Sequence, residues 1–178
     1  MVDFYILLIG ETMSELAEIE SHYLYGKYPS RLPVWWARTG EVMKQPELLG
    51  VSGKKIIIMI QKKFGRFERF LAKIFNAPKE LRRPLDEMNS LLWELCNGQR
   101  TFEEICVIMN QTFHDEISPV IHRTERAIAQ FVQLQFMIIL PQPLNNKWNI
   151  GPGVIPKGQE LKIDAEVYDT TPLDGEMP

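Results

Sequence analysis

The spacing of apolar residues between positions 88 and 134 predicts three consecutive helices. Asn97-Gly98 ends the first helix, since glycine readily takes the left-handed geometry found just after many helices. Thr101 and Glu104 form a capping box at the start of the second helix. Ser118-Pro119 indicates the start of the third helix, with a cap residue followed by proline at the first helical position. The three apolar faces are then Met88, Leu91, Leu92, Leu95 and Cys96; Phe102, Ile105, Cys106, Met109 and Phe113; and Ile121, Thr124, Ile128, Phe131 and Leu134.

Short runs with strand propensity lie on both sides of these helices. Residues 56–60 form an almost wholly β-branched run bounded by glycines, which is typical of a strand. "KELRRPL" predicts a second strand with Pro84 near its end, and "FMIIL" at 136–140 is a third strand or a buried tail. Signals before residue 50 are weaker: helical spacing in 11–24, then an extended or turn-rich stretch around the prolines at 29 and 33.

These elements predict an α+β, winged-helix-like fold, in which a small antiparallel sheet packs on a three-helix bundle. The domain would span residues 51–140. Residues 1–50 are expected to form an N-terminal extension, and 141–178 a Pro/Gly-rich acidic tail that is mobile or orders on a partner. With 178 residues the chain is long enough for one good core and such extensions.

Charge is distributed unevenly, although the net charge is only −3. Residues 54–83 hold ten basic and two acidic residues, and within them 64–76 predict a short basic amphipathic helix. That helix could cover the protein's own sheet, bind a partner or lie on a membrane surface. Residues 86–140 instead carry three basic and eight acidic residues. Because DNA binding needs Lys and Arg against phosphates, this balance argues against nucleic acid as a partner.

Residue types that carry catalysis occur here without a recognisable constellation. The sequence contains no phosphate-binding glycine loop and no serine or cysteine nucleophile signature. His114-Asp115-Glu116 is better explained as a solvated turn than as a set of metal ligands, and Cys96 and Cys106 as buried structural thiols. We therefore expect no enzymatic activity, no metal and no cofactor. Since the chain does not start like a signal peptide, we expect it to be cytoplasmic.

The strand "KELRRPL" offers a different kind of site. An edge strand can accept a peptide as an additional strand through backbone hydrogen bonds, with little demand on the peptide's sequence. By alternation Arg82 and Arg83 lie on opposite faces, so one of them could reach an acidic residue of a ligand. The groove between this strand and the third helix would hold side chains of the peptide.

Two stretches, "LDEMNSLLWELCNGQRTFEEICVIMNQTF" and "VIHRTERAIAQFVQLQFMIIL", resemble the PqqD family, named after pyrroloquinoline quinone biosynthesis protein D. The resemblance covers residues 51–140 and is most specific over 85–105. Asn89 stands where many members have glycine, and Asn97 where aspartate is common; asparagine is tolerated in turns and caps. The matching positions are Leu85, Asp86, Glu87, Trp93, Glu94, Leu95, Cys96, Gly98, Thr101, Glu104 and Ile105.

The resemblance implies a non-catalytic peptide chaperone, a recognition element for ribosomally made precursor peptides that are later modified. Such proteins bind the leader of a precursor peptide and present its core to a modifying enzyme, often a radical S-adenosylmethionine protein with iron–sulfur clusters. A winged-helix DNA-binding regulator, or a structural subunit of a larger complex, is the alternative. The peptide-binding residues that the resemblance implies are Leu81, Arg83 and Leu85 on the strand and Arg123, Ala127 and Gln130 on the third helix.

Overall fold

A computed structural model of the chain describes residues 18–44, 46–61, 80–145, 147–161, 163 and 167–174. Two short 3-10 helices, Ile19–Ser21 and His114–Ile117, accompany the regular elements. Over these described residues the architecture is α+β, with three α-helices and small antiparallel sheets, which confirms the predicted fold class. The strands are β1 (Tyr28–Arg31), β2 (Trp35–Val42), β3 (Lys54–Gln61), β4 (Glu80–Pro84) and β5 (Met137–Leu140), and the helices are α1 (Glu87–Leu95), α2 (Phe102–Phe113) and α3 (Val120–Gln133).

β3 is the central strand of a three-stranded antiparallel sheet in the order β2-β3-β4. Ile58 of β3 lies opposite Trp36 on one side and opposite Arg83 on the other. β1 and β5 form a separate two-stranded antiparallel sheet, in which Tyr28 lies opposite Leu140. The structure has β3 and β4 where the sequence predicts strands, and β5 is one of the two alternatives for its stretch. β1 and β2 have no counterpart among the strands predicted from the sequence.

The alternation of side chains along β3 divides the core into two layers. Ile56 and Ile58 are fully buried on the face covered by the helices, in a cluster that includes Trp93. The side chains between them point to the opposite face, where residues of the C-terminal region cover them. Burial on both faces explains why β3 is apolar at consecutive positions instead of alternating. The second layer consists of Trp35, Ala37, Ile57 and Met59, packed with the half-buried Leu161, Ile163 and Tyr168.

Local sequence signals define where α1 and α2 begin. The Asp86 carboxylate caps α1 by accepting from the Asn89 amide at 2.8 Å. At α2 the predicted capping box is present: the Glu104 amide donates to the Thr101 hydroxyl at 3.4 Å, and the Thr101 amide donates to the Glu104 carboxylate at 2.8 Å. Gly98, which follows α1, has a φ of +74°, the left-handed geometry expected there.

The start of α3 differs from the prediction. The sequence predicts Ser118 as the cap and Pro119 as the first helical residue. Instead Pro119 has extended backbone (φ −74°, ψ 118°) and occupies the cap position, so α3 begins at Val120 without a side-chain cap. Proline fits this position because it needs no amide hydrogen there. The predicted apolar face is buried apart from Leu134, which is half buried at the end of the helix.

Described residues before 51 and after 140 pack against the sheet and the helices. The sequence predicts a domain boundary at residue 51, yet β1 and β2 precede it, and Trp35 and Trp36 of β2 are 1% exposed. The sequence also predicts, from residue 141, a tail that is mobile or orders on a partner. The structure instead packs the C-terminal segment (described residues 147–161, 163 and 167–174) against the sheet, where the Trp36 indole donates to the Ile150 carbonyl at 2.9 Å. The amphipathic helix predicted at 64–76 lies outside the described residues.

A buried ion pair connects α1 to β2. Arg38 Nε donates to Glu94 Oε1 at 2.8 Å, and the two side chains are 1% and 0% exposed. Glu94 also accepts from the amide and the hydroxyl of Ser52 at 2.8 and 2.7 Å. Arg38 Nη1 reaches the Thr171 carbonyl at 2.9 Å. One pair of charges therefore joins a helix, the sheet, the loop before β3 and the C-terminal segment.

Trp36 lies between two buried arginines. The guanidinium carbons of Arg31 and Arg38 are 4.8 and 5.0 Å from the centre of its ring, close enough for cation–π attraction. Arg31 Nη1 donates to the Trp93 carbonyl at 3.0 Å. Buried arginines in this protein are thus part of the core around Trp36.

Removing the negative charge of Glu94 should destabilise the protein strongly. Glu94→Gln removes the negative charge from the buried pair with Arg38, and we expect the free energy of unfolding to fall by about 3–5 kcal/mol. Urea denaturation of the two proteins measures the difference. The matched control is Glu116→Gln, which removes a carboxylate from the exposed Lys44–Glu116 pair and should have no measurable effect. A loss at Glu94 no larger than that of the control would contradict the role given to the buried pair.

Candidate functional site

The outer edge of β4 consists of backbone groups that point away from β3. The Leu85 amide donates to the Ile56 carbonyl at 2.8 Å. Because bonding positions alternate in an antiparallel ladder, Arg83 also bonds to β3, and the backbone groups of Arg82 and Pro84 point outward. Pro84 has no amide hydrogen to donate, and proline in a sheet is found mainly at such edges. Within the residues that the structure describes, β4 pairs with β3 alone.

Leu81, Arg83 and Leu85 share the face of β4 that is turned to the helices. Arg83 lies opposite Ile58, whose side chain is buried in the cluster beneath the helices. All three side chains are half buried, whereas Arg82 is exposed on the other face, as alternation predicts. Arg83 Nε is buried and has no hydrogen-bond partner among the described residues. This face therefore offers two apolar side chains and one buried donor.

The three residues predicted on α3 differ in environment. Ala127 is half buried and packs against the same core cluster as Leu85. Arg123 and Gln130 are exposed. Arg123 is held in place by a hydrogen bond from Nη1 to the Glu116 carbonyl. Only Ala127 thus shares a core contact with the predicted strand residues.

A cavity of about 120 Å³ lies between α1 and α3, starting two residues beyond the end of β4. It brings together two of the six predicted residues, Arg123 and Ala127, whereas the other four do not line it. The sequence analysis placed Met88, Leu92 and Met109 on apolar helix faces and predicted no cavity there. One signal was present: Thr124 interrupts an otherwise aliphatic and aromatic stripe. The missed lining residues are Asp86, Met88, Asn89, Leu92, Met109, Ile117 and Thr124.

Other residues considered for chemistry have structural surroundings. The stretch from His114 to Glu116 is an exposed part of a 3-10 helix. In the described ranges, no group of three or more His, Cys, Asp or Glu side chains is arranged to hold a metal. Cys96 and Cys106 are both buried, and burial raises the pKa of the Cys96 thiol to about 12. No helix of the described chain is long and apolar enough to cross a membrane.

Hydrogen exchange can test the outer edge of β4. We expect the Arg83 and Leu85 amides to exchange slowly because β3 binds them, and the amide of Arg82, which precedes them, to exchange much faster. Exchange followed by NMR in the full-length protein resolves the three positions. Equal protection of all three amides would show that another part of the chain covers this edge.

Comparisons of the chain with protein-family models, with curated proteins and with solved structures find no significant match.

Proposed function

We propose that this protein is a non-catalytic adaptor, which binds the leader of a ribosomally made precursor peptide and presents it to a modifying enzyme. The peptide adds as a strand to the outer edge of β4. The enzyme is of the radical S-adenosylmethionine class or another peptide-modifying class. The resemblance of residues 51–140 to the PqqD family supports this proposal, because the resembling stretch includes β4, α1 and α3. The adaptor supplies binding and orientation, and the chemistry belongs to its partner.

The observation that carries the proposal is the backbone at the outer edge of β4. Arg82 directs both its amide and its carbonyl outward, so it can exchange two hydrogen bonds with one residue of an added strand. Pro84 has no amide hydrogen, so only its outward carbonyl can bond to an added strand, as an acceptor. Each net hydrogen bond contributes about 0.5–1.5 kcal/mol, so the backbone alone gives weak binding. Side chains of the peptide must therefore contribute as well.

The opposite edge of the sheet is occupied by the protein itself. Arg38 and Asp169 exchange amide-to-carbonyl hydrogen bonds of 2.9 and 3.0 Å, so the C-terminal segment already pairs with β2 as an added strand would. Lys54 Nζ anchors the segment by donating to Asp169 at 2.9 Å. This hydrogen bond is the main reason that the pKa of Asp169 is lowered to about 2. A peptide ligand would therefore meet an occupied edge at β2.

The side chains around the outer edge of β4 favour a peptide with both apolar and acidic residues. Leu81 and Leu85 offer apolar contacts on the helix-facing side of the strand. Arg83 and Arg123 are the two cations among the predicted site residues, and carboxylates of the peptide could pair with them. The proposed ligand is therefore an anionic leader peptide.

The proposed location is the cytoplasm, where ribosomally made precursors arise. Cys96 and Cys106 are buried thiols, as is usual in a reducing compartment. The proposed role does not require secretion.

Peptide binding should perturb β4 and α3. We expect the short peptide encoded beside this chain's gene to shift the amide signals of residues 80–85 and 118–135 in an NMR titration of the isotope-labelled protein. The Arg82 amide should become protected from exchange in the complex, because an added strand accepts its hydrogen. Binding with shifts confined to other regions would rule out this site.

A matched pair of variants separates backbone from side-chain recognition. Arg82→Pro removes the outward amide hydrogen and should weaken binding about tenfold, the effect of about 1.4 kcal/mol. Arg82→Ala keeps that hydrogen and should bind more tightly than the proline variant. Thermal unfolding of both variants shows whether each one folds. Equal affinities of two folded variants would contradict strand addition at Arg82.

A further inference from the structure

Thr124 has a buried hydroxyl that forms no hydrogen bond with the described residues. Its side chain lies on α3, the residue is 1% exposed, and Oγ1 has no hydrogen-bond partner in the part of the chain that the structure describes. A buried hydroxyl without a partner destabilises a protein, so its presence calls for a physical reason.

A second helical threonine provides the comparison. In α2, Thr112 Oγ1 donates to the Ile108 carbonyl one turn earlier at 2.8 Å, which is the usual way for threonine in a helix to satisfy its hydroxyl. Thr124 does not make the corresponding bond. Instead it lines the cavity between α1 and α3. Because Thr124 lines the cavity, rotation about its Cα–Cβ bond can direct the hydroxyl toward a group that enters.

The cavity has the size and the walls for one side chain with an apolar stem. Its volume is about 120 Å³, several times the minimum that a single water molecule needs. Met88, Leu92 and Ala127 belong to its apolar lining. A medium-sized, unbranched side chain could therefore enter with its methylene groups against these residues.

The polar groups around the cavity favour a hydrogen-bond acceptor at the tip of that side chain. The Thr124 hydroxyl can donate, and the exposed Arg123, whose guanidinium donates to the Glu116 carbonyl, lines the same cavity. The amino-terminal turn of the nine-residue α1 also faces the cavity and favours negative charge. Asp86 is the opposing carboxylate, but both of its oxygens accept from Asn89, at 2.8 and 2.9 Å.

We propose that this cavity is a specificity pocket for a glutamate side chain of the bound peptide, whose carboxylate accepts hydrogen bonds from Thr124 and Arg123. The inference rests on the proposed function and adds to it the residue that the site selects. Leucine or methionine would fill the same space but leave the Thr124 hydroxyl unpaired. Glutamine would accept a hydrogen bond but lacks the charge that pairs with Arg123. Aspartate is one methylene group shorter.

Stability of the peptide-free protein gives the first test. Thr124→Val keeps the shape of the side chain and removes the unpaired hydroxyl, so we expect Tm to rise by about 2–4 °C. The control, Thr112→Val, removes a hydroxyl that is already bonded and should not raise Tm. A lower Tm for Thr124→Val would show that the hydroxyl is satisfied within the protein, and the proposal would be overturned.

Selection from a displayed library of random dodecapeptides against the immobilised full-length protein gives the second test. Enriched peptides should carry glutamate at one fixed position. In a synthetic copy of an enriched peptide, replacing that glutamate by leucine should weaken binding tenfold or more, by about the effect of one charge-assisted hydrogen bond. The preference should disappear in Thr124→Val and Arg123→Gln. It should persist in the matched controls Thr112→Val and Arg126→Gln.

The outcomes distinguish the pocket from the proposed function. Peptides that shift the amides of residues 80–85 but show no preference for glutamate would overturn the pocket and leave strand addition standing. Glutamate-dependent binding without those shifts would keep the pocket and overturn strand addition. A library that yields no enriched peptide would contradict both.

Discussion

The buried pair between Arg38 and Glu94 is the interaction on which the rest of the structure depends. Charges in a protein interior are strongly destabilising unless each is paired and fully hydrogen-bonded. Here Ser52 and Thr171 contribute hydrogen bonds that help to meet this condition. α1, β2, the loop before β3 and the C-terminal segment must therefore all be in position together. The pair selects this one arrangement, and the apolar contacts on both faces of β3 supply the stability.

Fixing α1 in this way also fixes the candidate site. Glu94 holds the carboxyl-terminal half of the helix, and in its middle the Ser90 hydroxyl accepts from the Ile56 amide at 3.0 Å. The other end begins at Asp86, directly after β4. The wall of the cavity and the end of the edge strand are thus set by a helix held along its whole length, which is how binding sites are preorganised. The same pair helps to hold the C-terminal segment that closes the β2 edge.

The predictions that succeed rest on local physics. A capping box, a glycine after a helix and an apolar run each act within a few residues, so Thr101, Gly98 and β3 could be placed from the sequence. β2 could not, because its assignment depends on pairing with β3 and on the burial of Arg38, and a charged residue in a sequence is read as surface. The packing of the C-terminal segment could not be predicted for a similar reason. Its composition shows few apolar residues, but its bonds to β2 are made by the backbone.

For the candidate site, too, local features could be predicted from the sequence and non-local ones could not. Alternation is local, so the sequence could assign Leu81, Arg83 and Leu85 to one face of β4. The difference between Thr112 and Thr124 is not local, since both are threonines within helical stripes and only the position of α1 leaves one of them facing a cavity. That difference matters for the proposed recognition of a peptide. A strand edge offers backbone groups that any extended peptide can bind, so discrimination between peptides has to come from side chains beside the edge. Under the proposed function, such a discriminating position is the cavity at the start of α1, where the Thr124 hydroxyl, which has no partner among the described residues, raises the cost of accepting a purely apolar ligand.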